Sequence, residues 1–374
     1  MAALPLLMLL ACASSAPQSP TGPRELDLAA DTARQVVVDR EAKQYLGHVS
    51  TLLLEDGKTI LAVYPKGHGK GAILLKRSDD GGRTWSERLP VPASWATSLE
   101  TPTIHRVVDA KGNKSLIVWS GLYPARLARS EDDGKTWSEL EQAGDWGGIV
   151  VMGDVVPLQE KGCCTAFFHD DGRFLAKGGK ATGTFTLLAS SSTDAGRTWS
   201  APRAIWSGKD MHLCEPGAIR SPNGAEITLL LRENRRKQPS PSIVTQDEGA
   251  HWSDPRPMHP ALSGDRHTAR YAKDGRLVVV FRDMGLAEGN PTKGDFVAWV
   301  GRYEDIARGS PGDYHVRLLD NQNSWDCGYP GLEVLPDGTI VATTYGHWAK
   351  DEQPYIVSVR FTLAELDALA KPSK

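Results

Sequence analysis

An eight-residue pattern, Ser-x-Asp-x-Gly-x-Thr-Trp, occurs three times without error, at residues 78–85, 130–137 and 192–199. A fourth copy at 245–252 opens on Thr245 and carries His251 in place of the second Thr. The starts lie 52, 62 and 53 residues apart. Self-similarity at such a period marks a ring or array built from one repeated unit. Each box follows an apolar run, such as Ala72-Ile73-Leu74-Leu75, so it sits where a β-hairpin turns. There the Asp side chain can bond turn amides, the Gly relieves the backbone, and the Trp plugs the gap to a neighbouring strand. Asp80, Asp132 and Asp194 therefore read as turn formers rather than catalysts.

A second repeat runs out of phase with the first. A strand-like run reaches an Asp-Gly or Asn-Gly turn and a second apolar run follows, around Asp56-Gly57, Asn223-Gly224, Asp274-Gly275 and Asp337-Gly338. Two looser copies surround Lys111-Gly112 and Lys161-Gly162. Six hairpins combined with the boxes predict an all-β chain, a six-bladed β-propeller of four-stranded blades. Blade five is expected to finish through 296–302 and 314–319. Blade six supplies 355–361 as its third strand and then runs out of chain, so residues 35–38 from the N-terminus are expected to close the ring. Residues 362–370 read as a short terminal helix. No linker interrupts 35–361, which predicts one propeller domain over 25–374 behind a leader and linker at 1–24.

The leader holds a short apolar run, 4–11, too brief to span a bilayer, which takes about 20 residues. It reads as the end of an export signal, and Leu9-Leu10-Ala11-Cys12 resembles a bacterial lipobox in which Cys12 would carry a lipid. The expectation is an exported protein, periplasmic or at the cell surface, with no transmembrane helix. The other cysteines, Cys163, Cys164, Cys214 and Cys327, show no CxxC pair and no zinc spacing, and no pairing among them follows. With 43 Lys+Arg against 46 Asp+Glu the chain lacks the basic excess of a nucleic-acid binder. No metal or cofactor motif is present, so neither is expected.

If the Asp-Gly turns share one face, the first and last residues of each hairpin emerge together on the other. Counting back eight from the turn gives His48, Glu215, Arg266 and Tyr329. The second strands end at Lys66 and His68, His169 and Asp170, Arg232, Arg282 and Asp283, and Tyr345 with His347; Glu100, Tyr123 and Asp154 join with a looser register. A ring of polar groups thus faces a central depression. Boxes of this kind on six blades resemble the sialidase superfamily over nearly the whole chain. Glu215-Pro216-Gly217 through Leu231-Arg232 is similar to the family's Glu and its following Arg. Arg282 at the end of Val278-Val279-Val280-Phe281 resembles a second family Arg, and Tyr329 the nucleophilic Tyr. The resemblance implies a glycoside hydrolase releasing terminal sialic acid, with Tyr329 as nucleophile, Glu215 as its base, and Arg232 and Arg282 clamping the substrate carboxylate. A phenol avoids the repulsion a carboxylate nucleophile would meet, and sialidases are the known exception to two-carboxylate glycosidases. Arg suits a carboxylate because its planar fork donates two parallel hydrogen bonds.

Two features of that family are missing. Its first Arg is replaced by His48 in Gly47-His48-Val49, and its acid/base Asp falls in Lys66-Gly67-His68-Gly69, which has none. The Glu that commonly steadies the first Arg is also absent at Tyr345-Gly346-His347. The acid is therefore expected from His48 or His68, either able to serve near neutral pH, from Asp265-Arg266-His267, which offers a replacement clamp as well, or from Asp170 or Asp171. Two other functions remain beside the sialidase: a hydrolase of another acidic, ulosonic-type sugar, and a non-catalytic glycan-binding propeller. The expected partners are sialylated glycans or glycoconjugates.

Overall fold

The computed structural model describes residues 22–150, 152–323 and 325–371. Six antiparallel sheets stand around a central axis, each read from its inner strand outwards. Blade one holds Ser50–Leu53, Ile60–Pro65 and Ile73–Ser78. Its fourth position is an irregular segment, held to the third strand by Ser86 N–H to Arg77 O and Leu89 N–H to Leu75 O, both 2.8 Å. Blade two runs Thr103–Val108, Lys114–Ser120, Arg126–Ser130 and Glu141–Gln142, and blade three Asp154–Pro157, Cys164–Asp170, Phe185–Ser192 and Arg203–Gly208. Blade four runs Leu213–Arg220, Ile227–Glu233, Pro241–Thr245 and Arg256–Pro257. Blade five runs Gly264–Tyr271, Leu277–Asp283, Phe296–Gly301 and Tyr314–Leu319, and adds Arg24–Asp27 as a fifth, parallel strand. Blade six uses Gly328–Val334, Ile340–Gly346 and Tyr355–Phe361, with Gln35–Asp39 as its outer strand, so the N-terminal segment closes the ring as expected. A helix at Leu363–Leu369 follows, capped by Thr362.

The boxes do the turning that their composition implies. Asp80 accepts from Thr84 N–H at 2.9 Å and from the Thr84 hydroxyl at 2.6 Å, and Asp132 and Asp194 repeat the same pair of bonds. In the fourth box the His251 ring takes the hydroxyl's part, with Nδ1 2.7 Å from Asp247, which explains why that box tolerates the change. Each Trp seals its blade against the one before it: Trp137 meets Trp95, Trp199 meets Trp119 and Trp252 meets Phe167, with ring centroids 5.0–5.5 Å apart. The core is accordingly a series of apolar layers between blades. Cys163, Cys164, Cys214 and Cys327 are buried, free thiols. Cys12 and the expected export segment lie outside the described residues, and no described helix is long and apolar enough to cross a membrane.

Asp194→Ala strips the turn of a carboxylate that accepts four hydrogen bonds. It should cost roughly 1–3 kcal/mol of stability in urea denaturation. Burial tends to raise the Asp80 and Asp132 carboxyls, but the Thr hydroxyls and turn amides outweigh it and bring both to about 2. Their contribution is complete above the ordinary value of 3.8 and is lost as pH falls toward 2.

Candidate active site

At or next to the start of four inner strands stands a residue in the left-handed region: His48 (φ 56°), Glu215 (φ 49°), Arg266 (φ 56°) and Tyr329 (φ 52°). None is glycine, and such a conformation is uncommon for a side chain of this size. In blades four, five and six the position coincides with a β-bulge, where the pairing slips between Cys214 and Gly217, Asp265 and Thr268, and Gly328 and Gly331. A bulge adds a residue to one strand and re-aims its side chain. The four residues are those reached by counting back eight from the turn.

Tyr329 donates its phenol hydrogen to Glu215 Oε1 at 2.6 Å, and Arg232 donates to the same oxygen at 2.8 Å. Burial tends to raise the Glu215 carboxyl, but the Arg232 charge, the Tyr329 hydrogen bond and the Arg266 charge together outweigh it and hold the group below the usual carboxylate range. Burial, joined by the Glu215 charge, pushes the Tyr329 phenol well above its ordinary value. The resting pair is therefore a neutral phenol against a carboxylate. The second oxygen of Glu215 is buried with no partner among the described residues.

Beside this pair lies an arginine cluster built on Asp265. Arg236 grips Asp265 with both terminal nitrogens, at 2.5 and 2.6 Å. Arg282 donates to it from Nε at 3.0 Å and also from a terminal nitrogen, and Arg232 Nε lies 3.3 Å away. Burial works to raise this carboxyl, yet Arg282, Arg232 and Arg236 overcome it and keep it ionised. Two expectations change as a result. Asp265 is not a proton donor, because three guanidinium groups stabilise its charged form. Arg232 and Arg282 are not an empty clamp, because Asp265 already engages them. Arg236, which the hairpin count passed over, is the third member; only its place in the Arg-rich run 232–236 marked it.

Arg266 differs. Its guanidinium lies 5.4 Å from the Tyr329 ring centre and donates once, to Met152 O at 2.8 Å, while Nη1 is buried with no partner among the described residues. His267 turns away: one ring nitrogen is 2.8 Å from Leu262 O and it lies under blade five, packed on Phe281. It is neither clamp nor acid. Asp170 and Asp171 also leave the list of acids, because Asp170 accepts from Phe174 N–H and Asp171 pairs with Arg173 in their own loop.

His48 stands where the resemblance leads one to expect an Arg. Its ring stacks on Tyr345 at 4.7 Å and meets Tyr329 edge-on at 4.3 Å, and its Nδ1 accepts from Gly69 N–H. An aromatic stack thus stands in place of an Arg–Glu pair. Burial, helped by His68, Arg282 and Arg266, drives the His48 pKa well below its ordinary value, so the ring stays neutral and is not the acid. His68 is exposed on the rim, with Nδ1 2.5 Å from the Tyr45 hydroxyl. Tyr45 in turn bonds Asp326, which also holds His347 at 2.9 Å. Tyr45 and Asp326 lie in segments between blades, where strand counting gives no register. Glu100, just ahead of the inner strand of blade two, completes the rim and accepts from Thr101 N–H and hydroxyl at 2.9 and 3.0 Å.

A family model described as a BNR repeat-like domain matches residues 110–342. Among solved structures, a protein of unknown function from Dyadobacter fermentans superposes with a TM-score of 0.67 at 14% identity, over 88% of this chain and 97% of that one. An α-L-arabinofuranosidase from Fusarium graminearum gives 0.63 at 12%, over 89% and 98%. The intramolecular trans-sialidase of Ruminococcus gnavus gives 0.58 at 13%, over 86% and 95%. At these identities the likeness is one of fold. No curated protein matches the sequence. With box turns, six blades and a family match spanning most of the ring, this chain belongs to the BNR repeat-like domain family.

Proposed function

We propose that the protein is a glycoside hydrolase of the sialidase type, cleaving a terminal acidic sugar of the sialic acid class from a glycan. The observation that carries this reading is the Tyr329–Glu215 hydrogen bond of 2.6 Å, joining two blades at the axis, with Arg232 on the same oxygen. Tyr329 Oη attacks the anomeric carbon while its proton passes to Glu215. The bond to the aglycone breaks, and the leaving oxygen takes a proton from an acid on the rim. Water then attacks the tyrosyl-linked sugar, and the phenol recovers its proton from Glu215. Because the resting phenol is strongly disposed to keep its proton, Glu215 acts in the bond-forming step rather than before it.

Charge supports an anionic substrate. Four guanidinium groups, from Arg232, Arg236, Arg266 and Arg282, face two carboxylates, from Glu215 and Asp265. Arg266, with its unmatched donor next to Tyr329, is the group we assign to the substrate carboxylate. Arg232 then serves to orient Glu215, and Arg282 and Arg236 to anchor Asp265. A second reading rests on Asp265 itself. By occupying the Arg282 fork and pairing its charge with Arg232 it favours a neutral sugar, and the fold is shared with an arabinofuranosidase. The proteins sharing this fold include glycosidases for both kinds of substrate. The envelope, by our proposal, is an exported chain with a leader at 1–24, anchored or released according to the fate of Cys12.

Assays with a fluorogenic α-sialoside and an aryl α-L-arabinofuranoside separate the two readings. Sialoside turnover should fall by at least about 10³-fold in Tyr329→Phe, which removes the nucleophile and leaves the ring. Arabinoside turnover alone would establish the neutral-sugar reading. Turnover unchanged by Tyr329→Phe would remove the site from the axis altogether. Asp265→Asn leaves three guanidinium groups short of a counter-charge and should cost about 3–5 kcal/mol in urea denaturation at neutral pH. The Asp265 contribution is complete above the ordinary Asp value and disappears as pH falls, so wild type and variant should converge in acid.

A further inference from the structure

The mechanism above requires a proton donor for the leaving group, and His48, Asp265, Asp170 and Asp171 are each committed elsewhere. We propose that Glu100 is the general acid, protonating the leaving oxygen and later taking a proton from the attacking water; this rests on the glycosidase reading. Glu100 stands beside the loop in which the resemblance leads one to look for an acidic residue. A Cβ placed on Gly69 would lie 2.8 Å from Glu100 Oε1, and one on Gly121 would lie 2.9 Å from the Glu100 Cβ. The two glycines thus leave the space that this side chain fills. Gly69 also donates its N–H to His48, and the His48 ring packs on Tyr329. One glycine therefore connects the Glu100 carboxyl to the wall of the nucleophile.

The surroundings suit a carboxyl that must hold a proton and release it. Oε1 accepts both Thr101 hydrogens, which leaves Oε2 to carry the proton. No ion pair within 4 Å involves Glu100 among the described residues. The groups whose charge or hydrogen bonds act on it are Lys70 from the loop of blade one, Glu215 from blade four and its own neighbour Thr101. Burial raises the Glu100 carboxyl to about 7, with the Glu215 charge adding to the rise and Thr101 and Lys70 opposing it. It is therefore largely protonated in mild acid and ionised in mild base.

The step balances without any further reagent. Oε2–H gives its proton to the glycosidic oxygen as the bond to the anomeric carbon breaks and Tyr329 Oη bonds there. In the second half the Glu100 carboxylate takes a proton from water as that water's oxygen joins the anomeric carbon. One glycoside and one water become a free sugar and an alcohol, and the acid is restored.

The test uses the full chain and two substrates of whichever sugar class the wild type cleaves, one with an aryl leaving group and one with a sugar leaving group. An aryl oxide departs with little proton assistance. Glu100→Gln should therefore lose about 10²–10⁴-fold on the glycan and less than ~10-fold in the first step on the aryl glycoside. The alkaline limb of kcat/KM near pH 7 should vanish in Glu100→Gln and persist in Glu100→Asp. A fold-level readout accompanies it: as pH rises from 5 to 8 the wild type should lose stability relative to Glu100→Gln, because only the wild type must ionise a buried carboxyl. Equal losses on both substrates, or the leaving-group pattern appearing in His68→Ala instead, would overturn the assignment while Tyr329→Phe still abolished turnover. A wild type inert toward both sugar classes would overturn the glycosidase reading, and Glu100 as its acid along with it.

Discussion

The whole axial site depends on four backbones bent the wrong way. His48, Glu215, Arg266 and Tyr329 each stand at or next to the start of an inner strand with positive φ, and each is a side chain that would sit more comfortably elsewhere. Such residues cost roughly 1–3 kcal/mol apiece and persist only where the surroundings over-determine them. Here the surroundings are six inner strands pressed around one axis. Gly217 lies so close to the backbone of His267 that a Cβ there would come within 2.0 Å of its carbonyl oxygen, and Gly331 is as near to Thr51. The strands cannot relax outwards because the box Trp residues fill the wedges between blades. Rigidity at the rim of each blade and strain at its centre are two ends of one arrangement.

The same geometry concentrates charge. Once Glu215 and Asp265 are aimed at the axis, burial alone would force protons onto both, and the arginines prevent it. Arg232 touches each carboxylate, so Glu215 and Asp265 are not electrostatically independent. A change at Asp265 reaches Glu215 through a shared guanidinium.

Much of this is legible from the residues. The boxes fix blade spacing because their Asp–Thr turn and Trp plug are local chemistry, and the hairpin count works because the bulge falls at the same distance from the turn in blades four, five and six. Tyr329, Glu215, Arg232, Arg266 and Arg282 all fall at the axis for that reason. Pairing partners are a different matter. Whether Arg282 meets a substrate or Asp265 depends on two side chains approaching from adjacent strands, 17 residues apart in sequence. The count also placed His48 at the mouth without showing that it would be sealed under Tyr345 and so lose its charge. Tyr45, Asp326 and Glu100 sit in connections or at strand approaches, where no period fixes position.

The ring closes on a join between segments far apart in sequence. Residues 35–39 complete blade six beside 355–361, while 24–27 lie along the outer strand of blade five. More than 300 residues separate the two sides of that seam, so its closure carries the largest loop entropy in the molecule. Tyr329 belongs to the blade that this seam completes. Its bond to Glu215 therefore ties blade four to the blade sealed by the most distant pairing in the ring.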